Sequence, residues 1–170
     1  VQRSGLTPFA TNTTTSPAEA AVIGNLRPKK PMPEIALAHG IPYVATASVG
    51  FPQDITRKVK KALSIKGPKY MQIHVPCPLG WRHESTQVLP VARMAVDTGL
   101  YPIVEYENGQ LIGVRKITQP KPVEEYLKLQ GRFKHILNNP DALKLVQEVA
   151  DRNITKYGLR AEAVPKHTQP

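Results

Sequence analysis

Between Met32 and Gly99 the sequence keeps switching its hydrophobic period, and that alternation restricts the fold more than any other feature. "MPEIALAHG" has helical spacing and stops at Gly40, a usual helix end. "IPYVATASV" is β-rich. "FPQDITRKVKKALSIKGP" returns to a helical period, with Ile55, Val59 and Leu63 four residues apart, lysines on the other face and Gly67-Pro68 as terminator. "KYMQIHVPC" is again extended. "STQVLPVARMAVDTG" is a third helix, with Pro90 near its first turn and Gly99 just past its end. Helix, strand, helix, strand, helix predicts an α/β fold with a mostly parallel sheet and helices on its faces. Ligands of such sheets sit beyond the carboxyl ends of the strands.

The organisation then changes. "YPIVEYENGQLIGVRKI" is two extended runs joined through Asn-Gly, a strong hairpin signal. Helical segments follow around "VEEYLKLQGRFKHIL" and "PDALKLVQEVADRNITKYG". The expected organisation is an α/β domain over residues 1–99, a hairpin with a helical extension over 100–160, and a tail over 161–170. Ahead of all this, residues 1–33 are polar and Pro-rich. Their "TNTTTSP" run suits a solvated linker or a segment wrapped round a polar ligand. "VQRSGLTPF" has no initiator Met, which suggests processing or a segment cut from a longer polypeptide.

Bulk properties exclude several classes. A single cysteine rules out an internal disulfide framework and fits a reducing, cytoplasmic setting. No apolar run reaches the roughly 18 residues of a membrane span. The net charge of +10 attracts anionic partners, among them nucleic acid, acidic proteins and phosphorylated cofactors. Basic residues interleaved with aromatics, the signature of nucleic-acid stacking, are missing. "RKVKK" at 57–61 reads as a solvated helix face, and His39 as a helix C-terminal cap.

Cys77, between Pro76 and Pro78 in "HVPCPLGWR", is the residue with most chemical latitude. Its flanking prolines fix φ and hold it extended. A buried structural cysteine, a nucleophile and a metal ligand are all open readings. No base is specified for the second: His74 alternates to the other strand face, and His83 lies beyond a Pro-Leu-Gly stretch. The third needs further thiolates, which the chain lacks.

Taken in order, "VQRSGLTPFATNTTTSP", "KKPMPEIALAHGIPYVATAS", "VPCPLGWR", "AVDTGLYPIVEYENG" and "KPVEEYLKLQGRFKHI" resemble the β subunit of the 2-oxoacid:ferredoxin oxidoreductases, closest to the pyruvate type. The resemblance runs over nearly the whole chain and weakens after about Pro140. It implies the C-terminal half of that subunit, within a thiamine-diphosphate-binding α/β fold followed by a hairpin and C-terminal helices. The family's CxxC-type and GDG-type motifs are absent here, and the Mg2+-binding aspartate is expected upstream. Gln2 and Ser4 are implied to lie near thiamine diphosphate. Cys77 matches the fourth ligand of a 4Fe–4S cluster, the other three lying outside this chain.

The implied reaction is oxidative decarboxylation of a 2-oxoacid, pyruvate or 2-oxoisovalerate, in anaerobic metabolism. Its implied partners are coenzyme A, ferredoxin and the α, γ and δ type subunits, with neither nucleic acid nor membrane involved. "SPAEAAVIGN" departs from the family in having Ala18-Glu19 where Gly-Lys is expected.

Overall fold

A computed structural model describes residues 29–161, so Gln2, Ser4 and the 162–170 tail lie outside the described residues. The elements are α1 (Met32–Ala38), β1 (Tyr43–Ser48), α2 (Pro52–Ser64), β2 (Lys69–His74), the single-turn α3 (Pro78–Trp81), α4 (Val88–Asp97), β3 (Val104–Glu107), β4 (Gln110–Val114), α5 (Val123–Lys128) and α6 (Pro140–Lys156). Short 3₁₀ turns occupy Ser85–Gln87 and Gly131–Ile136. The predicted alternation and hairpin are therefore present.

The four strands form one sheet in the order β2-β1-β3-β4. β1 and β2 run parallel, Tyr43 opposite Lys69 and Ser48 opposite His74. β3 lies antiparallel on the other side of β1, and β4 antiparallel to β3. The sheet is thus mixed, with its parallel part confined to one pair. The hairpin joins the sheet through β3, whose successive residues Val104 and Glu105 are both buried, one on each face. Asn108 (φ 49°) and Gly109 (φ 81°) close the hairpin in the left-handed conformations a two-residue turn demands.

β1 is buried along its whole length, as a central strand must be. The largest core cluster lies under α4, α5 and α6, where Val91, Ala95 and Val96 meet Ile103, Leu127, Phe133, Val146 and Ala150. α6 starts cleanly because Asn139 Oδ1 accepts from the Ala142 N–H at 3.1 Å and Pro140 fills its first position. It buries Ala142, Val146, Ala150 and Ile154, a four-residue repeat.

One sequence expectation is overturned at α2. Ile55, Val59 and Leu63 do not form its buried face: Val59 is 38% exposed and Leu63 77%. The residues turned inward are Lys58 and Ala62. Ala62 packs on Tyr43 and Ala45 of β1. Lys58 sits beside it, only 2% exposed, with Nζ donating to Thr46 O and to Asp54 Oδ2, both at 2.8 Å. Hence "RKVKK" is the expected solvated face only in part: Arg57, Val59 and Lys60 are exposed, while Lys58 is buried. Arg57 bonds the buried Glu105 at 2.6 Å, and Tyr43 OH donates to the same carboxylate at 2.8 Å. Burial alone would push the Glu105 carboxyl up, but the Arg57 and Tyr43 bonds outweigh it and hold it below the usual range. The small side chains of β1 admit a lysine stem that reaches a strand carbonyl, and this fixes the helix rotation against its apolar stripe.

Candidate functional site

Because β1 and β2 are parallel, their carboxyl ends meet at one edge, where Val49 N–H bonds His74 O at 3.1 Å. The chain leaves β2 there and turns sharply. Cys77 is extended (φ −104°, ψ 110°), with Pro78 at the first position of α3. Its carbonyl accepts the Trp81 N–H at 2.9 Å. Arg82 ends the turn in the left-handed region, at φ 57° and ψ 60°. The Cys77 thiol is free and exposed. Gly80 lies next to it: a Cβ there would meet Sγ at 3.5 Å, an ordinary contact.

Behind this turn the rings are layered. His74 lies 4.7 Å from the Tyr101 ring and 5.5 Å from Trp81, centroid to centroid. Tyr101 is anchored by its hydroxyl, which donates to Gln72 O at 2.8 Å. The Arg132 guanidinium lies 3.7 Å above the Trp81 ring and 4.8 Å from that of Phe133. Burial, then the charges of Lys29 and Arg132, push His74 down to about 3 from its usual value, so its imidazole is neutral at physiological pH. α1 closes through the His39 backbone N–H on Ile35 O at 3.2 Å and the Gly40 N–H on Leu37 O at 2.9 Å.

Among the described residues, two polar atoms around the turn are buried without a hydrogen-bond partner, His74 Nδ1 and His83 Nε2. Buried polar atoms are rarely left so. Both belong to imidazoles packed on Trp81, at 5.5 and 6.4 Å. The donor set fits a thiolate-bound group at one corner only: Cys77 is exposed and held extended. Among the described residues, no three His, Cys, Asp or Glu side chains converge to hold a metal ion by themselves.

Sequence reasoning singled out Cys77 and missed Trp81, His83, Gly131 and Arg132 as its surroundings. The available signal for the last two was an arginine set between Gly131 and Phe133. Gly131 N–H bonds Arg82 O at 3.0 Å, and a Cβ at Gly131 would come within 2.7 Å of Arg82 Cβ and 3.2 Å of its carbonyl oxygen. Gly131→Ala is expected to force the two turns apart and destabilise the subunit by about 2 kcal/mol. An unchanged urea midpoint would show that this approach is not tight.

Among the described residues, no helix is long and apolar enough to cross a membrane. No protein-family model matches the chain. It is 50% identical over 163 residues to pyruvate synthase subunit PorB of Methanosarcina barkeri, an alignment covering 94% of this chain and 55% of the relative. It is 46% identical over 159 residues to pyruvate synthase subunit PorB of Methanocaldococcus jannaschii, covering 94% and 53%. It is also 46% identical over 140 residues to ketoisovalerate oxidoreductase subunit VorB of Pyrococcus horikoshii, covering 80% and 44%. The chain therefore spans about half the length of the relatives it matches.

Proposed function

Because this chain resembles the β subunit of the 2-oxoacid:ferredoxin oxidoreductases over most of its own length, we propose that it works as part of such a subunit. The proposed enzyme oxidatively decarboxylates a 2-oxoacid to acyl-CoA and CO2 with ferredoxin as acceptor, or runs the reverse synthesis. Pyruvate is the proposed substrate, in keeping with the two PorB relatives. The 46% identity to VorB supports 2-oxoisovalerate as the second reading. Coenzyme A, ferredoxin and the remaining subunits are the proposed partners, and the cytoplasm the proposed setting. The +10 charge suits the anionic members of this set.

The observation that supports the reading is Cys77: an exposed thiol just past the carboxyl end of the parallel pair, on the same turn as Trp81, against which His74 and His83 pack. Cys77 is proposed to give one thiolate to a 4Fe–4S cluster, with three more from outside the described residues. Gln2 and Ser4 are the proposed contacts to thiamine diphosphate, with Mg2+ held elsewhere. When bound, the cluster supplies one-electron transfer and thiamine diphosphate the decarboxylation chemistry. This chain's own residues position and shield. The prolines and the Trp81 N–H bond fix where the sulfur points. Neutral His74 and the Trp81 and Tyr101 rings keep water from the back of the turn.

The test is Cys77→Ser in the complete subunit, purified anaerobically with its partners. The variant is expected to lose the cluster's iron and its electron paramagnetic resonance signal, with ferredoxin-linked turnover falling to background. Full iron content with an unchanged signal would remove Cys77 from the ligand set. Comparing turnover of pyruvate with that of 2-oxoisovalerate separates the two substrates.

A further inference from the structure

Arg132 is a buried cation that pairs with no carboxylate among the described residues. It is 3% exposed. Its Nε donates to Gln130 Oε1 at 2.8 Å and one terminal nitrogen contacts Tyr126 OH at 3.4 Å, both neutral partners. Its faces lie against Trp81 and Phe133. Among the described residues, the carboxylates found in ion pairs serve other cations: Asp54 serves Arg57 and Lys58, Glu105 serves Arg57 and Lys61, Glu107 serves Lys61, Glu124 serves Lys128, Glu125 serves Lys121, and Glu34 serves Lys156. Leaving a guanidinium in a desolvated site without an opposite charge is costly. Retaining one there makes sense if the negative charge arrives with something else.

The neighbouring turn identifies where that charge would be. Arg132 follows Gly131, whose N–H is bonded to Arg82 O, and it stacks on Trp81, whose own N–H is bonded to Cys77 O. The second link ends on the backbone of the residue that carries the thiol. Cys77, once ionised, also acts electrostatically to favour the charged form of Arg132. His74, which also packs against Trp81 at 5.5 Å, stays neutral and so adds no second positive charge there.

We propose that Arg132 is the fixed counter-charge of the anionic group held at Cys77, and that it raises the reduction potential of that group. The inference rests on the reading of Cys77 as a cluster ligand. A cluster bound by thiolates becomes more negative when it takes up an electron. A cation fixed in a dry site beside it stabilises the reduced form more than the oxidised one, and net charge is among the properties that set such potentials. Arg132 is thus a positioning residue for charge, and it does not itself ligate.

The experiment is a dithionite titration of the holo-complex, followed by electron paramagnetic resonance, with iron content measured in parallel. Arg132→Met removes the charge and keeps the apolar stem. Gln130→Glu leaves Arg132 in place and puts a carboxylate at the position of its present acceptor. Both are expected to lower the midpoint by at least a tenfold change in the reduced-to-oxidised ratio, ~59 mV for one electron. Arg132→Lys, which keeps the charge, is expected to stay within half of that shift. Unchanged midpoints in iron-replete Arg132→Met and Gln130→Glu would overturn the proposal. If Arg132→Met fails to assemble, Gln130→Glu decides alone. Cys77→Ser separates the two levels: if it keeps its cluster, the ligand reading falls and this inference falls with it. If it loses the cluster while Gln130→Glu leaves the midpoint unmoved, only the role of Arg132 is lost.

Discussion

Replacing Asp54 by alanine is expected to destabilise the subunit by about 3 kcal/mol, the low end of what breaking a buried ion pair costs. The reason is Lys58. Its ammonium is buried, and its partners are Asp54 Oδ2 and Thr46 O, each at 2.8 Å. Without Asp54 the charge keeps one carbonyl. Asp54 is itself partly exposed and also serves Arg57, which reaches solvent, so the effect is placed at the low end. Lys58→Met should be milder, about 1–2 kcal/mol, because it removes the charge with the need for a partner and leaves only the Thr46 carbonyl unbonded. The double variant should then show a coupling of about 2 kcal/mol between the two sites in urea denaturation. Simple additivity within about 0.5 kcal/mol would contradict the buried pair.

The pH dependence carries a definite sign. Burial lowers the Lys58 pKa, against the opposing pull of Asp54. Removing Asp54 lowers it further in the folded state, while the unfolded state keeps an ordinary lysine. The unfolded chain then binds more protons as pH rises toward the usual lysine range, and stability increases with pH wherever that is so. The Asp54→Ala defect should therefore shrink as pH is raised and be greatest near neutrality.

The second large effect is expected at Gly99, which ends α4. Its φ is +77°, and a Cβ there would lie 2.7 Å from Ile154 Cγ1, 3.0 Å from its Cδ1 and 3.3 Å from Ala150 O. Alanine meets two penalties. The left-handed backbone costs about 1–2 kcal/mol for a residue with a Cβ, and crowding into the α6 face adds about 1–3 kcal/mol. Gly99→Ala is expected to lose about 3 kcal/mol in total. Gly109 provides the contrast. Its φ is +81° but nothing lies within 4 Å of its would-be Cβ, so Gly109→Ala should show the backbone part alone, about 1–2 kcal/mol. Equal losses at the two positions would mean that the α4–α6 contact yields freely.

Much of this framework could be read from local signals. α1 and α6 fall where spacing and stop signals put them, and Asn108-Gly109 turns the chain where Asn-Gly between apolar runs predicts. Local signals work there because helix period, caps and turn residues act over a few positions. The face of α2 was not legible. An apolar stripe at 55, 59 and 63 states which residues avoid water, and says nothing of a strand carbonyl at Thr46 that a lysine could reach. The candidate site divides in the same way. Cys77 and its prolines stood out in the sequence, together with the strand end that places them. Arg132 did not, because its partnership with Trp81 joins positions 51 residues apart in the chain and depends on Gly131 letting two turns touch.

By itself the sequence determined the α/β alternation, the hairpin turn, the start and stop of the long helices and the isolation of one rigidly flanked cysteine. All are consequences of short-range sterics and periodicity. The tertiary structure decided that the hairpin completes a mixed sheet and that α2 turns a lysine inward. It also decided that the turn carrying the cysteine holds Trp81 against a guanidinium that pairs with no carboxylate among the described residues. Those follow from burial and desolvation, which depend on groups brought together from distant parts of the chain.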